Sequence, residues 1–193
     1  MKENSGKTKF ILLGMLARQP QTGYTIKKWL ENEYSHFWLE SFGQIYPALK
    51  ELVKEGLAVC SSAPEKANGR RQIEYQITDQ GRNALSEWLK EKPEVEKIRY
   101  EILLKISFGE NTEPDILIGH LDEFLHRQEE LIVEMNYFIK LFDEFKESGT
   151  DCTYSKLTAL CGLHLYSAMK DWAVEAKTII SERNSHNEKT KNP

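Results

Sequence analysis

At positions 44–53 the chain reads Gln44-Ile45-Tyr46-Pro47-Ala48-Leu49-Lys50-Glu51-Leu52-Val53. The apolar residues of this stretch follow the spacing i, i+4, i+7, i+8 of an amphipathic helix, at Ile45, Leu49, Leu52 and Val53. Gly56 is expected to end the helix, because glycine readily adopts the left-handed conformation found at helix C-termini. The opposite face has few bulky side chains and is partly basic, with Lys50 and Lys54 on it. The segment therefore predicts a helix with one buried face and one face that can approach a partner closely.

Two helices are predicted before this one. In the first, apolar residues recur at helical spacing across positions 10–17, and the helix ends before Pro20. In the second, Thr22 is a candidate N-cap residue. The residues that share its apolar face are Ile26, Trp29 and Leu30. The chain thus begins with three short helices in succession.

After Gly56 the hydrophobic period changes from helical to two, which predicts strands. The alternating apolar residues are Leu57 and Val59, then Ile73, Tyr75 and Ile77. The basic segment between them contains Asn68-Gly69, a pair typical of hairpin turns. We interpret the two strands and their basic loop as a wing. Thr78-Asp79 then opens a fourth helix, with a predicted buried stripe of Leu85, Trp88 and Leu89.

The second half of the chain is predicted to be entirely helical. A short helix contains Ile98, Ile102, Leu103 and Ile106 and ends at Gly109. A long helix begins at Glu113-Pro114, with proline in its first turn. A final helix carries apolar residues from Leu157 to Ile180, and the polar segment 184–193 is predicted to be a disordered tail.

The long helix carries a heptad seam with one polar member, Gln128. Its apolar members are Leu117, Leu121, Phe124, Leu131, Met135, Phe138, Phe142 and Phe145. Burying each large side chain contributes roughly 1.5–3 kcal/mol, so the seam requires a partner. Either the last helix of the same chain folds back over it, or helices of a second protomer join it. We favour the second reading and expect these apolar residues, except Phe145, to form a dimer interface.

Charge divides the chain at the cluster Glu91-Lys92-Pro93-Glu94, where proline disfavours helix in the residue before it. The 14 basic and 11 acidic residues up to Lys92 give a net charge of +3, and the 12 basic and 19 acidic residues after it give −7. The sum of −4 excludes a uniformly basic nucleic-acid binder, but it leaves room for a local basic face.

We predict a mainly α fold with a small β-hairpin. Residues 8–92 are expected to form an N-terminal winged helix-turn-helix domain, and residues 93–183 a C-terminal α-helical coiled-coil domain for dimerisation and effector binding. In a winged helix the third helix enters the DNA major groove while the wing contacts the backbone. The candidate DNA contacts are Gln44, Tyr46, Pro47 and Lys50 on that helix, and Lys66, Asn68, Arg70 and Arg71 in the wing. The alternative is a winged-helix scaffold that binds a protein through its acidic helical half.

Several stretches of the chain resemble the PadR family of bacterial transcriptional regulators. They are Phe10-Ile11-Leu12-Leu13-Gly14-Met15-Leu16, Thr22-Gly23-Tyr24, Ile45-Tyr46-Pro47, Arg70-Arg71, Tyr75-Gln76-Ile77-Thr78-Asp79 and Glu101-Ile102-Leu103-Leu104-Lys105. The resemblance runs from about Lys9 to Arg183, within the subfamily that has an extended C-terminal helical domain and includes phenolic-acid-responsive repressors.

This resemblance implies a homodimeric repressor that binds a pseudo-palindromic DNA operator and leaves it when a small aromatic effector binds. It also implies that Tyr24 buttresses the recognition helix or touches phosphate. Two positions depart from the family pattern. Thr25 stands where an acidic residue commonly follows Gly-Tyr, and Glu74 places a negative charge in the returning strand.

We expect the effector to bind in an aromatic cavity between the two halves. If the effector carries a carboxylate, an arginine or a histidine would bind it. The candidates are Phe37, Trp38, Trp88, Arg99, Tyr100, His164 and Trp172. We propose from the sequence that binding near Trp88 and Tyr100 changes the angle or spacing of the two winged helices.

Enzyme, metal and membrane signals are weak. Glu123-x-x-His126 occurs once, whereas a di-iron helix bundle needs a second copy and two further glutamates. Cys60, Cys152 and Cys161 are widely spaced, which indicates structural thiols in a reduced, cytoplasmic compartment. No apolar run reaches the roughly 18 residues of a membrane span, and positions 10–13 lack the cleavage site of a signal peptide. We therefore predict no metal, no cofactor and no catalytic residue.

Overall fold

A computed structural model describes residues 5–34, 42–62, 73–96 and 98–191. The chain divides into two compact units, Met1–Val95 and Glu96–Pro193. Predicted candidates at Phe37, Trp38, Lys66, Asn68, Arg70 and Arg71 lie outside the described residues. No helix in the described ranges is long and apolar enough to cross a membrane.

The first unit is a winged helix. Its elements are α1 (Ser5–Arg18), β1 (Gln21–Thr22), α2 (Gly23–Trp29), α3 (Ile45–Lys54), β2 (Ala58–Ser62), β3 (Ile73–Ile77) and α4 (Asp79–Lys90). A π-helical turn, Leu30–Tyr34, follows α2, and a 3₁₀ turn, Phe42–Gln44, leads into α3. The core is a cluster of aliphatic side chains in which Leu12, Leu49 and Ile26 bring α1, α3 and α2 together. The predicted fold class is confirmed.

The predicted wing strands pair antiparallel, with Ala58 opposite Ile77 and Ser62 opposite Ile73. A third strand that the sequence analysis did not predict, β1, pairs with β3 on its other side, so that the sheet order is β1-β3-β2. β1 has only two residues, and two residues are too few for an alternating pattern to be visible.

Helix α4 differs from its predicted stripe at one position. Leu85 and Trp88 pack toward the core, but Leu89 is 68% exposed. Because successive helical residues are about 100° apart, Trp88 facing α1 leaves Leu89 pointing to the side. The prediction that Leu89 is buried is therefore wrong.

The second unit consists of α5 (Glu101–Ser107), a 3₁₀ turn at Gly109–Asn111, α6 (Pro114–Glu147) and α7 (Thr153–Lys191). Proline occupies the first turn of α6, as predicted. The short helix begins later than expected, since Ile98 precedes it and is exposed. Helix α7 continues to Lys191, so the tail predicted to be disordered from position 184 is helical as far as 191. A helix already formed adds residues at little cost, even where their composition is polar.

Helices α6 and α7 run antiparallel and pack along their length. Lys177 pairs with Asp122 near one end, and Lys156 Nζ lies 2.5 Å from Asp143 Oδ1 near the other. Leu121 and Phe124 pack with Ala173, and Met135 packs with Ala159 and Tyr166. The heptad seam therefore contacts the last helix of the same chain, which is the first of the two arrangements considered above.

Candidate nucleic-acid interface

Helix α3 separates its buried and exposed residues cleanly. Ile45, Leu49 and Leu52 are buried in the core of the first unit. The four candidate DNA contacts of this helix are all exposed: Gln44, Tyr46, Pro47 and Lys50. They lie on the side of α3 opposite its buried residues, and Tyr46 is half exposed there.

The two lysines of this surface differ in their pairing. Lys54 Nζ donates to Glu51 Oε1 at 3.0 Å, and this hydrogen bond raises the pKa of Lys54 above its ordinary value. Lys50 forms no ion pair within the described ranges of the chain. A neighbouring carboxylate thus offsets the charge of Lys54, while the charge of Lys50 remains available to a phosphate.

Tyr46 is seated on the start of α2. A Cβ atom added to Gly23 would lie 2.5 Å from Cε1 of the Tyr46 ring, so the ring edge occupies the space that a side chain at position 23 would need. Tyr75 is buried in the central strand, and burial is the main cause that raises its pKa. Electrostatic interactions with Cys60 and Tyr46 raise this pKa further. Sequence reasoning missed Gly23, because the packing of a ring against a glycine in another helix leaves no periodic signal.

Tyr24 follows Gly23 and is 63% exposed, so its ring is accessible to a partner. The start of α2 is fixed by a capping box. The backbone N–H of Thr25 donates to Thr22 Oγ1 at 3.2 Å, and the N–H of Thr22 donates to Thr25 Oγ1 at 3.0 Å. A hydroxyl at position 25 thus accepts the bond that a carboxylate accepts in the usual capping box, without adding a negative charge.

The described part of the wing consists of β2 and β3, whose ends Ser62 and Ile73 lie opposite each other. Glu74, the second departure from the family pattern, lies in the central strand opposite Thr22 in β1 and Ser61 in β2. It is half-buried there. Its charge therefore lies within the sheet.

Two protein-family profiles match the chain in succession. Residues 12–87 match the transcriptional regulator PadR-like family, and residues 98–181 match the virulence activator alpha C-terminal family. The chain carries a PadR-like domain followed by a virulence-activator C-terminal domain. The matched families are transcriptional regulators and not enzymes.

The negative transcriptional regulator PadR of Bacillus subtilis (strain 168) is 32% identical over 101 residues. This match covers 52% of the chain and 55% of that protein, so the chain spans about half the length of the curated relative it matches.

Two solved structures of PadR from Bacillus subtilis share the fold. The complex with operator DNA superimposes with a TM-score of 0.78 at 22% identity and covers 89% of this chain and 96% of that one. The complex with p-coumaric acid has a TM-score of 0.71 at 22% identity and covers 94% and 99%.

In the first unit, the candidate effector residue Trp88 stacks on Phe10. In the C-terminal domain, Trp172 meets Phe124 edge-on with ring centroids 5.9 Å apart, and Tyr100 packs on the same cluster. Arg99 and His164 are exposed. The structure thus brings Tyr100 and Trp172 to one apolar cluster and leaves Arg99 and His164 at the surface.

His126 of the C-terminal domain lies 3.4 Å from Glu130 one turn later, both on the exposed surface of α6. Within the described ranges, no group of three or more histidine, cysteine, aspartate or glutamate side chains is arranged to hold a metal ion.

Proposed function

We propose that this protein is a sequence-specific, DNA-binding transcriptional regulator. It acts as a homodimeric repressor on a pseudo-palindromic operator and is released by a small aromatic effector such as a phenolic acid. The observation that carries the proposal is the exposed face of α3, on which Gln44, Tyr46, Pro47 and Lys50 lie together. The relative solved with operator DNA has the same fold and supports it.

The chemistry of this face suits a major groove. The amide of Gln44 can pair with adenine, and the ammonium of Lys50 can contact a phosphate or a guanine edge. Pro47 keeps the helix narrow at the point of approach. The face therefore combines groups that read bases with groups that hold the backbone.

A homodimer follows from the geometry of two half-sites about one helical turn apart. Because the α6 seam packs against α7 of its own chain, we assign the contact with a second copy to a different surface. We define the α7 stripe as four exposed residues that lie within about 80° of one another around the helix axis: Tyr154, Leu157, Cys161 and Leu165. Leaving such a stripe in water is unfavourable, and a second copy would cover it.

The effector is proposed from chemistry and from one relative. A PadR structure contains p-coumaric acid, an aromatic ring with a carboxylate. In the C-terminal domain of this chain, Tyr100 and Trp172 supply aromatic surface on one cluster. An aromatic acid is therefore the first ligand class to test.

The decisive experiment recovers DNA bound by the full-length protein from a pool of random fragments. We expect a recovered motif with two inverted half-sites, and its affinity should fall steeply as salt concentration rises. Lys50→Ala should weaken binding and reduce the slope of log affinity against log salt by about 1. Lys54→Ala is the matched control and should change the slope less, since Glu51 already offsets its charge.

Failure to recover a motif would contradict the proposal and favour the protein-interaction scaffold. The effector is tested separately, by titrating p-coumaric acid and related phenolic acids into the complex in a gel-shift assay. Release of the operator is expected, and indifference to the whole panel would remove the effector from the proposal while leaving DNA binding intact.

A further inference from the structure

We propose that Gly23 is a positioning residue for DNA recognition, because its missing side chain sets where the Tyr46 ring stands on the recognition helix. The inference rests on the proposed function, since it concerns how α3 presents one of its reading groups. It adds a residue of α2 that has no direct part in the exposed face of α3.

The geometry of the contact is specific. A Cβ atom at Gly23 would lie 2.5, 3.1 and 3.2 Å from Cε1, Cδ1 and Cζ of Tyr46. These three atoms form one edge of the ring, so that edge rests on the backbone of Gly23. Gly23 is buried whereas Tyr46 is half exposed, so Gly23 covers this edge while much of the Tyr46 side chain remains in solvent. The backbone of α2 at Gly23 thus limits the orientation of the Tyr46 ring.

The backbone does not explain a glycine here. Gly23 is the first residue of α2, and the positive φ values among the described glycines belong to Gly56 and Gly149. In a helix, alanine is favoured over glycine by roughly 0.5–1 kcal/mol. The requirement at position 23 is therefore space for the Tyr46 ring and not a conformation that only glycine adopts.

The backbone around Gly23, on which the Tyr46 ring rests, is itself held in place. The capping box of Thr22 and Thr25 holds the first turn of α2, and the pairing of Gln21 with Tyr75 and of Thr22 with Glu74 ties that turn to the sheet. A methyl group added at position 23 would therefore displace the more mobile partner, which is the half-exposed Tyr46 side chain. The fold is expected to survive, while the phenol moves away from its position on the DNA-facing surface.

The test compares Gly23→Ala with Gly14→Ala, in the full-length protein and on the recovered operator. Gly14 is a matched control, because it lies inside helix α1 and a Cβ atom there meets nothing within 4 Å. Both changes improve helix propensity, so thermal stability should be kept in both. We expect Gly23→Ala to weaken operator binding about fivefold or more, the scale of one lost base contact, and Gly14→Ala to leave it unchanged.

A double-mutant cycle with Tyr46→Ala separates positioning from a general structural role. If Gly23 acts through the ring, Gly23→Ala should have no further effect once the ring is absent. An equal loss in both backgrounds, unchanged binding by Gly23→Ala, or unfolding of that variant would each overturn the inference. The Tyr46 ring resonances in NMR spectra of the free protein give a readout that needs no DNA. They should shift in Gly23→Ala and stay in place in Gly14→Ala.

The two proposals fail in distinguishable ways. If the wild-type protein selects no DNA motif, the proposed function fails and the recognition role of Gly23 fails with it. If the wild type selects a motif and Gly23→Ala binds it equally well, only the inference about Gly23 is overturned.

Discussion

Trp88 of α4 lies flat against Phe10 of α1, with ring centroids 4.7 Å apart and planes inclined by 5°. This stack joins the last helix of the winged-helix unit to its first. Trp88 was a candidate for effector binding from sequence, and in the structure its ring face serves to pack the two helices together. Such pairs contribute about 0.5–1.5 kcal/mol beyond the area they bury.

Replacing this ring should therefore cost stability. Trp88→Ala is expected to lower the free energy of unfolding by about 1–3 kcal/mol, less than for a fully buried tryptophan because Trp88 is half-buried. Trp88→Phe keeps a ring on Phe10 and should lose clearly less. Urea denaturation followed by circular dichroism measures both. Equal losses for the two variants would show that the stack contributes nothing.

The capping box at the start of α2 gives a second prediction. Thr22→Ala removes the acceptor of the Thr25 N–H and should cost about 1 kcal/mol. Thr25→Glu restores the acidic residue that is common in the family and can still close the box, so its stability should stay near that of the wild type. Thermal unfolding of the two variants distinguishes them. A large loss in Thr25→Glu would mean that the carboxylate does not reach the Thr22 N–H.

The sequence predicts those features of the structure that depend on residues close together in the chain. The helix at Ile45–Lys54 and the strands β2 and β3 follow from periodicity, and the cap at Thr22 from residue type. For α4, the predicted buried stripe is correct at Trp88, which packs on α1, and wrong at Leu89, which is exposed. The width of a buried face depends on the neighbouring element that covers it.

Features that depend on distant parts of the chain were not predictable. The heptad spacing predicts that Leu121 and Met135 are buried. It does not show whether the helix that covers them belongs to the same chain. The contact of Tyr46 with Gly23 joins two helices, and the sequence between them gives no sign of it. Pairwise tertiary contacts of this kind require coordinates.

Two buried tyrosines predict how stability depends on alkaline pH. Burial is the main cause that raises the pKa of Tyr75 and of Tyr166 above the ordinary value of 10.0. As pH rises through 10.0, the unfolded chain releases these protons while the folded protein keeps them, so the free energy of unfolding should fall. Below that pH both states are protonated and the effect vanishes.

The measurement is urea denaturation of the wild type and of Tyr166→Phe between about pH 8 and pH 11. The variant lacks one ionisable hydroxyl and should lose less stability across this range. Parallel curves for the two proteins would exclude Tyr166 as a source of the pH dependence.

The α7 stripe predicts where a second copy binds. Leu157→Asp combined with Leu165→Asp should yield folded monomers in analytical ultracentrifugation, because the charges lie on the exposed face of α7. Val174→Asp is a matched control, since it is half exposed on the same helix but about half a turn away from Leu165. A dimer that persists in the double variant would contradict this assignment.

Changes within the seam should behave differently. Phe138 stacks on Phe142 with centroids 6.2 Å apart, and both pack against the cluster around Met135. Phe138→Asp with Phe142→Asp should therefore unfold the second unit, with a loss of helical signal. A folded, fully helical monomer from that variant would restore the seam as the dimer interface.

Gln128 is the polar interruption of the seam, and it is buried with 7% of its surface exposed. It lies between the cluster of Leu121 and Phe124 and the cluster of Met135. A polar residue at a heptad core position lowers stability relative to an apolar one, so Gln128→Leu should stabilise the protein by about 1 kcal/mol. For a chain of this size the midpoint of thermal unfolding should rise by about 2–4 °C. Calorimetry of the wild type, Gln128→Leu and the isosteric Gln128→Glu, which places a charge at the same point and should destabilise, checks the sign. A loss of stability in Gln128→Leu would show that the amide is hydrogen-bonded in solution, as a polar residue that fixes the register of two packed helices would be.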